Sequence, residues 1–175
     1  EARALETLVR RLGPLLLRDG FASTPMVLPM ERDGGEPVKG KRDLIVVGVP
    51  ARHATLRRYV EPGSVPRGGY VIRTLNDGGR NVVALAGDGP SEVLWATFDF
   101  LDVVVPELEP RLAGRPSAGY PGTFFRAGRV PETLRRSAPQ TSVRSVFSWG
   151  HVIDDCNETF RAMARLRFNR AILWN

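Results

Sequence analysis

Residues 70–101 read YVIRTLNDGGRNVVALAGDGPSEVLWATFDFL, and this stretch decides the fold. Two β-rich runs, Tyr70 to Leu75 and Asn81 to Ala86, flank Asn76-Asp77-Gly78-Gly79-Arg80. Central glycines accept the positive φ angles of a tight turn, so the pattern predicts an antiparallel hairpin. Gly87-Asp88-Gly89 ends the second strand, and Pro90 fits the first turn of a helix, where a missing N–H removes no helical bond. Glu92 suits the positive helix end, and the apolar pattern runs on to about Val104. Leu94, Phe98 and Leu101 are expected to face the sheet, and the rings of Trp95, Phe98 and Phe100 to be core rather than pocket lining. The turn from Gly87 to Ser91 lies where a phosphate could meet helix N–H groups. It lacks a P-loop lysine and a three-glycine fingerprint, and Asp88 repels anions, so it reads as a turn and cap.

Upstream, Leu44 to Val47 with Val49 is a short β-branched run stopped by Gly48 and Pro50, the pattern of a buried strand, and a short helix is expected around Ala51 to Val60. From Ala2 to Arg18, Leu5, Leu8, Val9, Leu12, Leu15 and Leu16 recur at helical spacing, with Pro14 expected to kink or end the helix near Leu12. Residues 21–42 read as loop, with Met26 to Leu28 as a possible short strand. Downstream, Pro106, Pro110, Pro116, Pro121, Pro131 and Pro139 leave little room for regular structure, and 106–141 is expected to be a connection. Val143 to Phe147, Asp155 to Arg167 and Ala171 to Trp174 then read as strand, helix and strand, a βαβ unit with parallel strands. The fold class expected is α/β: an α+β accessory domain over 1–105 with a mainly antiparallel sheet and packed helices, then a βαβ unit over 142–175. Two parallel strands bury too little to stand alone, so this unit is expected to open a larger α/β domain.

The chain has 175 residues, 42% apolar and 25% charged, a balance that excludes disorder and collagen and suits a soluble globular protein. No apolar run approaches the roughly 20 residues that span a bilayer, and Glu1 opens a helical pattern rather than a leader, so no membrane partner is expected. The net charge of +6 is carried by arginine, Lys39 and Lys41 being the only lysines. Acids and bases alternate, as in Glu31-Arg32-Asp33, which argues against nucleic acid and reads as composition rather than function. Cys156 has no disulfide partner, and one cysteine with two histidines leaves too few ligands for structural zinc; it is expected to be a small buried residue. No metal or cofactor is expected.

The segment from Ser145 to Asp155 is richest in chemistry. It leads out of the carboxyl end of a parallel strand, where α/β proteins bind ligands. Trp149 can stack on a sugar face, and His151 can hydrogen-bond a ligand or move a proton. Trp174 and Asn175 occupy the equivalent end of the next strand. These four residues are the candidate substrate-binding set, and no catalytic residue is assigned. Asp155 with Glu158 reads as a capping box rather than a catalytic pair.

Two segments together resemble the bacterial β-N-acetylhexosaminidases and α-glucuronidases. Residues 70–101 are similar to the accessory domain before their catalytic barrel, in which a hairpin leads into a G-x-x-x-x-G-x-x-Y/W-A-x-x-x-x-L helix. Residues 143–175, with Arg144-Ser145-Val146, then MARLRFN, then ILWN, look like the first strand, helix and second strand of the barrel. The resemblance implies the amino-terminal part of a glycoside hydrolase acting on a carbohydrate substrate, with a TIM barrel to follow. It also favours an extracellular or periplasmic location over a cytoplasmic one. The family usually carries an Asp and a substrate-holding Arg after its first barrel strand, where this sequence has Ser148-Trp149-Gly150-His151, and Arg144 matches only the arginine at the strand's start. The family's catalytic Asp and Glu follow its fourth barrel strand, so these 175 residues alone are not expected to catalyse. The alternative is a stand-alone carbohydrate-binding or protein-interaction module using Trp149 and Trp174 as stacking platforms.

Overall fold

The structure, a computed structural model, describes residues 3, 4, 6–8, 10, 11, 43–106, 130–149 and 155–174, without the side chains of 148, 149, 173 and 174. Strand β2, Tyr70–Asp77, and strand β3, Arg80–Gly87, form the expected antiparallel hairpin, with Tyr70 opposite Gly87 and Asp77 opposite Arg80. Only Gly78 and Gly79 lie between them, with φ of 61° and 89°. Two consecutive positive φ angles match the right-handed twist of the strands, and side chains rarely tolerate them.

Strand β1, Leu44–Gly48, pairs parallel to β3, from Leu44 beside Val82 to Gly48 beside Ala86. Strand β4, Thr133–Ser137, pairs antiparallel to β2, and the sheet order is β1-β3-β2-β4. The class is therefore mixed α/β with a mostly antiparallel sheet. β4 falls inside the stretch expected to be a connection. Its five residues TLRRS are held by a partner far away in sequence: the Thr74 hydroxyl donates to the Pro131 carbonyl (2.6 Å) and accepts from the Thr133 N–H (3.1 Å). Asn81, 5% exposed, adds a second tie. Its side-chain oxygen accepts the Val130 N–H (2.8 Å), while its own N–H donates to Asp43 (2.8 Å) at the start of β1.

Helices cover both faces. Helix α1, Ala54–Tyr59, follows a 3-10 turn at Pro50–Arg52 and packs Leu56, Tyr59 and Val60 against Val46, Val71, Val82 and Ala84. Beyond it the Tyr59 hydroxyl donates to Asp77 (2.8 Å) and accepts from Arg80, and the bond from Tyr59 holds the Asp77 carboxyl below its usual range. On the other face lies helix α2, Pro90–Asp99, continued by a π-helical turn over Phe100–Val104. Gly87 lets α2 approach, since a Cβ there would lie 2.3 Å from the Val93 nitrogen. The buried face of α2 and its extension is Val93, Ala96, Phe100, Leu101 and Val104, against Val47, Tyr70, Ile72, Val83 and Leu85. Leu94 and Phe98 are only half-buried, so the core stripe lies one residue round from the expected one. The close approach at Gly87 brings α2 onto the sheet at Val93, while Trp95, 4% exposed, belongs to the same core cluster and also carries Arg144 over its ring.

The described residues of 3–11 are helical, with Ala4 and Leu8 in the same core cluster. The expected continuation to Arg18 and the possible strand at Met26 to Leu28 lie outside the described residues. Strand β5, Ser145–Trp149, helix α3, Cys156–Arg165, and strand β6, Arg170–Trp174, make a second, two-stranded parallel sheet. No helix among the described residues is long and apolar enough to cross a membrane.

Two substitutions test this packing by urea or thermal denaturation. Trp95→Ala is expected to cost about 3 to 5 kcal/mol, the transfer of a large ring plus the cavity left behind, and a loss under about 1 kcal/mol would show the ring to be exposed. Asn81→Ala strands the Val130 N–H and is expected to cost about 2 to 3 kcal/mol, since a buried group without a partner carries its full desolvation penalty.

Candidate functional site

The βαβ unit has two ends with different chemistry. At the amino end, Asn169, just before β6, is fastened to the segment before β5. Its side chain accepts the Arg144 N–H (2.9 Å) and donates to the Ser142 carbonyl (2.7 Å), while its own N–H donates to the Arg144 carbonyl (3.0 Å). This sets the register that runs from Ser145 beside Arg170 to Trp149 beside Trp174. The two tryptophans are therefore backbone neighbours at the carboxyl ends of adjacent parallel strands. His151 and Asn175, the other members of the candidate set, lie outside the described residues. After the 150–154 segment, Asp155 starts α3 and accepts the N–H groups of Asn157 (2.8 Å) and Glu158 (3.0 Å). A carboxylate at this helix end satisfies two orphan donors and favours the positive terminus, so Asp155 works as a cap. Cys156 is exposed rather than buried, because the first position of α3 faces outward; the inward residue of this helix is Met163.

At the amino end the unit meets α2 and β4 through a cluster of arginines. Arg144 lays its guanidinium 4.8 Å from the centre of the Trp95 ring and donates through Nε to the Arg167 carbonyl (2.6 Å). Arg167 in turn sits 5.1 Å over the Tyr70 ring, with Nη1 donating to the Ser137 hydroxyl (2.9 Å) and Nη2 3.2 Å from Asp99. Asp99, one helical turn beyond Trp95 and buried, is also 2.9 Å from Arg135 of β4. Asp102 lies between Arg11 (2.8 Å) and Arg165 (2.7 Å), so the amino-terminal helix and α3 share one carboxylate. An open groove of about 350 Å³ runs alongside, bordered by Leu94, Trp95, Phe160, Met163 and Phe168. It lies at the end of the strands opposite to Trp149 and Trp174, so it is not part of the candidate set's surroundings.

Composition gave no sign of this cluster. Its one sequence signal is the spacing of Asp99 and Asp102, three apart in the mainly apolar second half of the helix, which puts two carboxylates on neighbouring positions of one face.

Tyr70 records how dry this junction is: burial pushes its hydroxyl up to about 12. In the unfolded chain a tyrosine loses its proton near pH 10. The folded state thus holds more protons between the two values, and stability falls as pH rises from about 10 to 12. Denaturation curves of Tyr70→Phe across this window are expected to lack that part of the decline, up to about 1.4 kcal/mol per pH unit. An unchanged slope would mean that the hydroxyl is solvated.

Compared with known proteins, the chain matches no family model, and neither a curated protein nor a solved structure shows significant similarity to it.

Proposed function

We propose that the chain is the amino-terminal part of a carbohydrate-active hydrolase that cleaves glycosidic bonds, of the bacterial β-N-acetylhexosaminidase or α-glucuronidase type. In this reading the four-stranded unit is a non-catalytic accessory domain and β5–α3–β6 opens a TIM barrel. The observation that carries it is the parallel pairing of β5 with β6 around α3, with Trp149 beside Trp174 at the carboxyl ends. Barrel enzymes build their sites at that end, where loops vary while the strands stay packed. An exposed apolar pair on the β5–β6 sheet supports the same reading. Phe147 and Ile172, side by side in register, are 53% and 40% exposed, whereas parallel sheets are covered on both faces. Further βα units would supply that cover.

Within such a site Trp149 and Trp174 offer aromatic faces for the C–H groups of a sugar, and His151 and Asn175 offer partners for its hydroxyls. Glycoside hydrolysis needs a carboxylic acid to protonate the leaving oxygen and a second carboxylate, or the substrate's own acetamido group, to stabilise the oxocarbenium-like centre. In the resembled family those acids follow the fourth barrel strand, so the residues of this chain bind and orient the sugar.

The purified 175-residue chain is expected to give no turnover of aryl N-acetylhexosaminides or other aryl glycosides. In a protein carrying the further βα units, His151→Ala is expected to lower kcat at least about tenfold, or 1.4 kcal/mol of transition-state stabilisation, with Tm unchanged. Turnover by the 175-residue chain, abolished by changing one of its own carboxylates, would overturn the reading. Activity lost only in step with Tm would give His151 a structural role.

A further inference from the structure

We propose that Arg167 is a lock between the two parts of the molecule, coupling the opening of β5–α3–β6 to that of the four-stranded sheet. The proposal concerns the chain itself and stands whether or not it acts on sugars.

Arg167 is the one non-glycine residue with positive φ among the described residues, at 65°. It follows α3, where Phe168 N–H donates to the Met163 carbonyl (2.8 Å) and Arg167 N–H to the Ala164 carbonyl (3.1 Å). This pair of bonds is the glycine-type helix stop, in which the left-handed residue is usually glycine because a Cβ there meets the following carbonyl. Nothing in the turn calls for an arginine. Its side chain, however, reaches three elements of the other part at once: Asp99 of α2, Ser137 of β4 and the ring of Tyr70 in β2. Its carbonyl meanwhile accepts from Arg144, just before β5. Backbone strain persists where the surroundings over-determine it, and here they do so through contacts that a glycine would forfeit. The dependence is greater because the β5–β6 sheet has two strands and Phe147 and Ile172 are exposed, so it draws its stability from what it docks against.

Amide hydrogen exchange of the 175-residue chain, followed segment by segment, tests the lock. Arg167→Gly relaxes the turn and removes the contacts. Exchange across β5, α3 and β6 is expected to rise at least about tenfold, while β2 and β3 change less than about twofold. A role confined to the turn predicts the opposite sign, slower exchange in α3, because glycine relieves the strain. Asp99→Asn removes the charged acceptor from the other side without touching the turn, and is expected to quicken the same segments selectively. A rise of less than tenfold in Arg167→Gly, an equal rise in β2 and β3, or no selective effect of Asp99→Asn overturns the proposal. Should Arg167→Gly fail to fold, Arg167→Lys, which keeps the charge and loses the flat stacking surface, takes its place under the same criteria. Failure of both to fold also overturns it, since the sheet is expected to fold without the lock.

Discussion

Asp99 is the constraint on which the arrangement depends. It is 6% exposed, near the end of a helix whose other faces press on the sheet, and an isolated buried carboxylate costs several kcal/mol. Two cations therefore have to come to it, and they arrive from different places: Arg135 from an edge strand and Arg167 from the turn after α3. Replacing such a group by apolar side chains is often neutral or stabilising, so its value lies less in energy than in geometry. A hydrophobic patch between α2 and α3 tolerates sliding. A carboxylate between two fixed guanidiniums, one of them also over Tyr70, permits far fewer arrangements.

Around that point each part performs a double task. α2 turns Val93, Ala96 and Phe100 to the sheet, and Trp95, Asp99 and Asp102 to the arginines. β4 alternates in the same way: Thr133, Arg135 and Ser137 oppose Thr74, Ile72 and Tyr70 in register, while Leu134 is turned outward and 53% exposed. Ties to Thr74, Asn81 and Asp99 rather than apolar burial explain how so polar a strand belongs to the sheet at all.

The same fact explains what could be read from the sequence. The hairpin, β1 and the βαβ unit follow from local signals: two glycines in a turn, β-branched runs, a helical pattern between short strands. β4 carries no such signal. TLRRS is short, polar and set among prolines, and its pairing is decided by Thr74, nearly sixty residues earlier. Arg167 was equally hidden, since the position after a helix is marked in sequence by glycine. The arginine excess looked like background because alternating charge usually is, yet Arg11, Arg135, Arg144, Arg165 and Arg167 all meet at the junction. For the candidate site, strand order alone set Trp149 near Trp174. His151 and Asn175 lie outside the described residues.

The two ends of the βαβ unit thus answer different demands. Asn169, Arg144 and the Arg167 carbonyl are hydrogen-bonded to one another's segments at the amino ends, fixing where the two strands begin side by side. From Ser145 and Arg170 the strands run five residues in step, so any shift at the amino end is transmitted to Trp149 and Trp174. A one-residue slip would also turn every side chain to the opposite face. The pairing of Trp149 with Trp174 is therefore set by hydrogen bonds some five residues away, at the opposite end of the two strands.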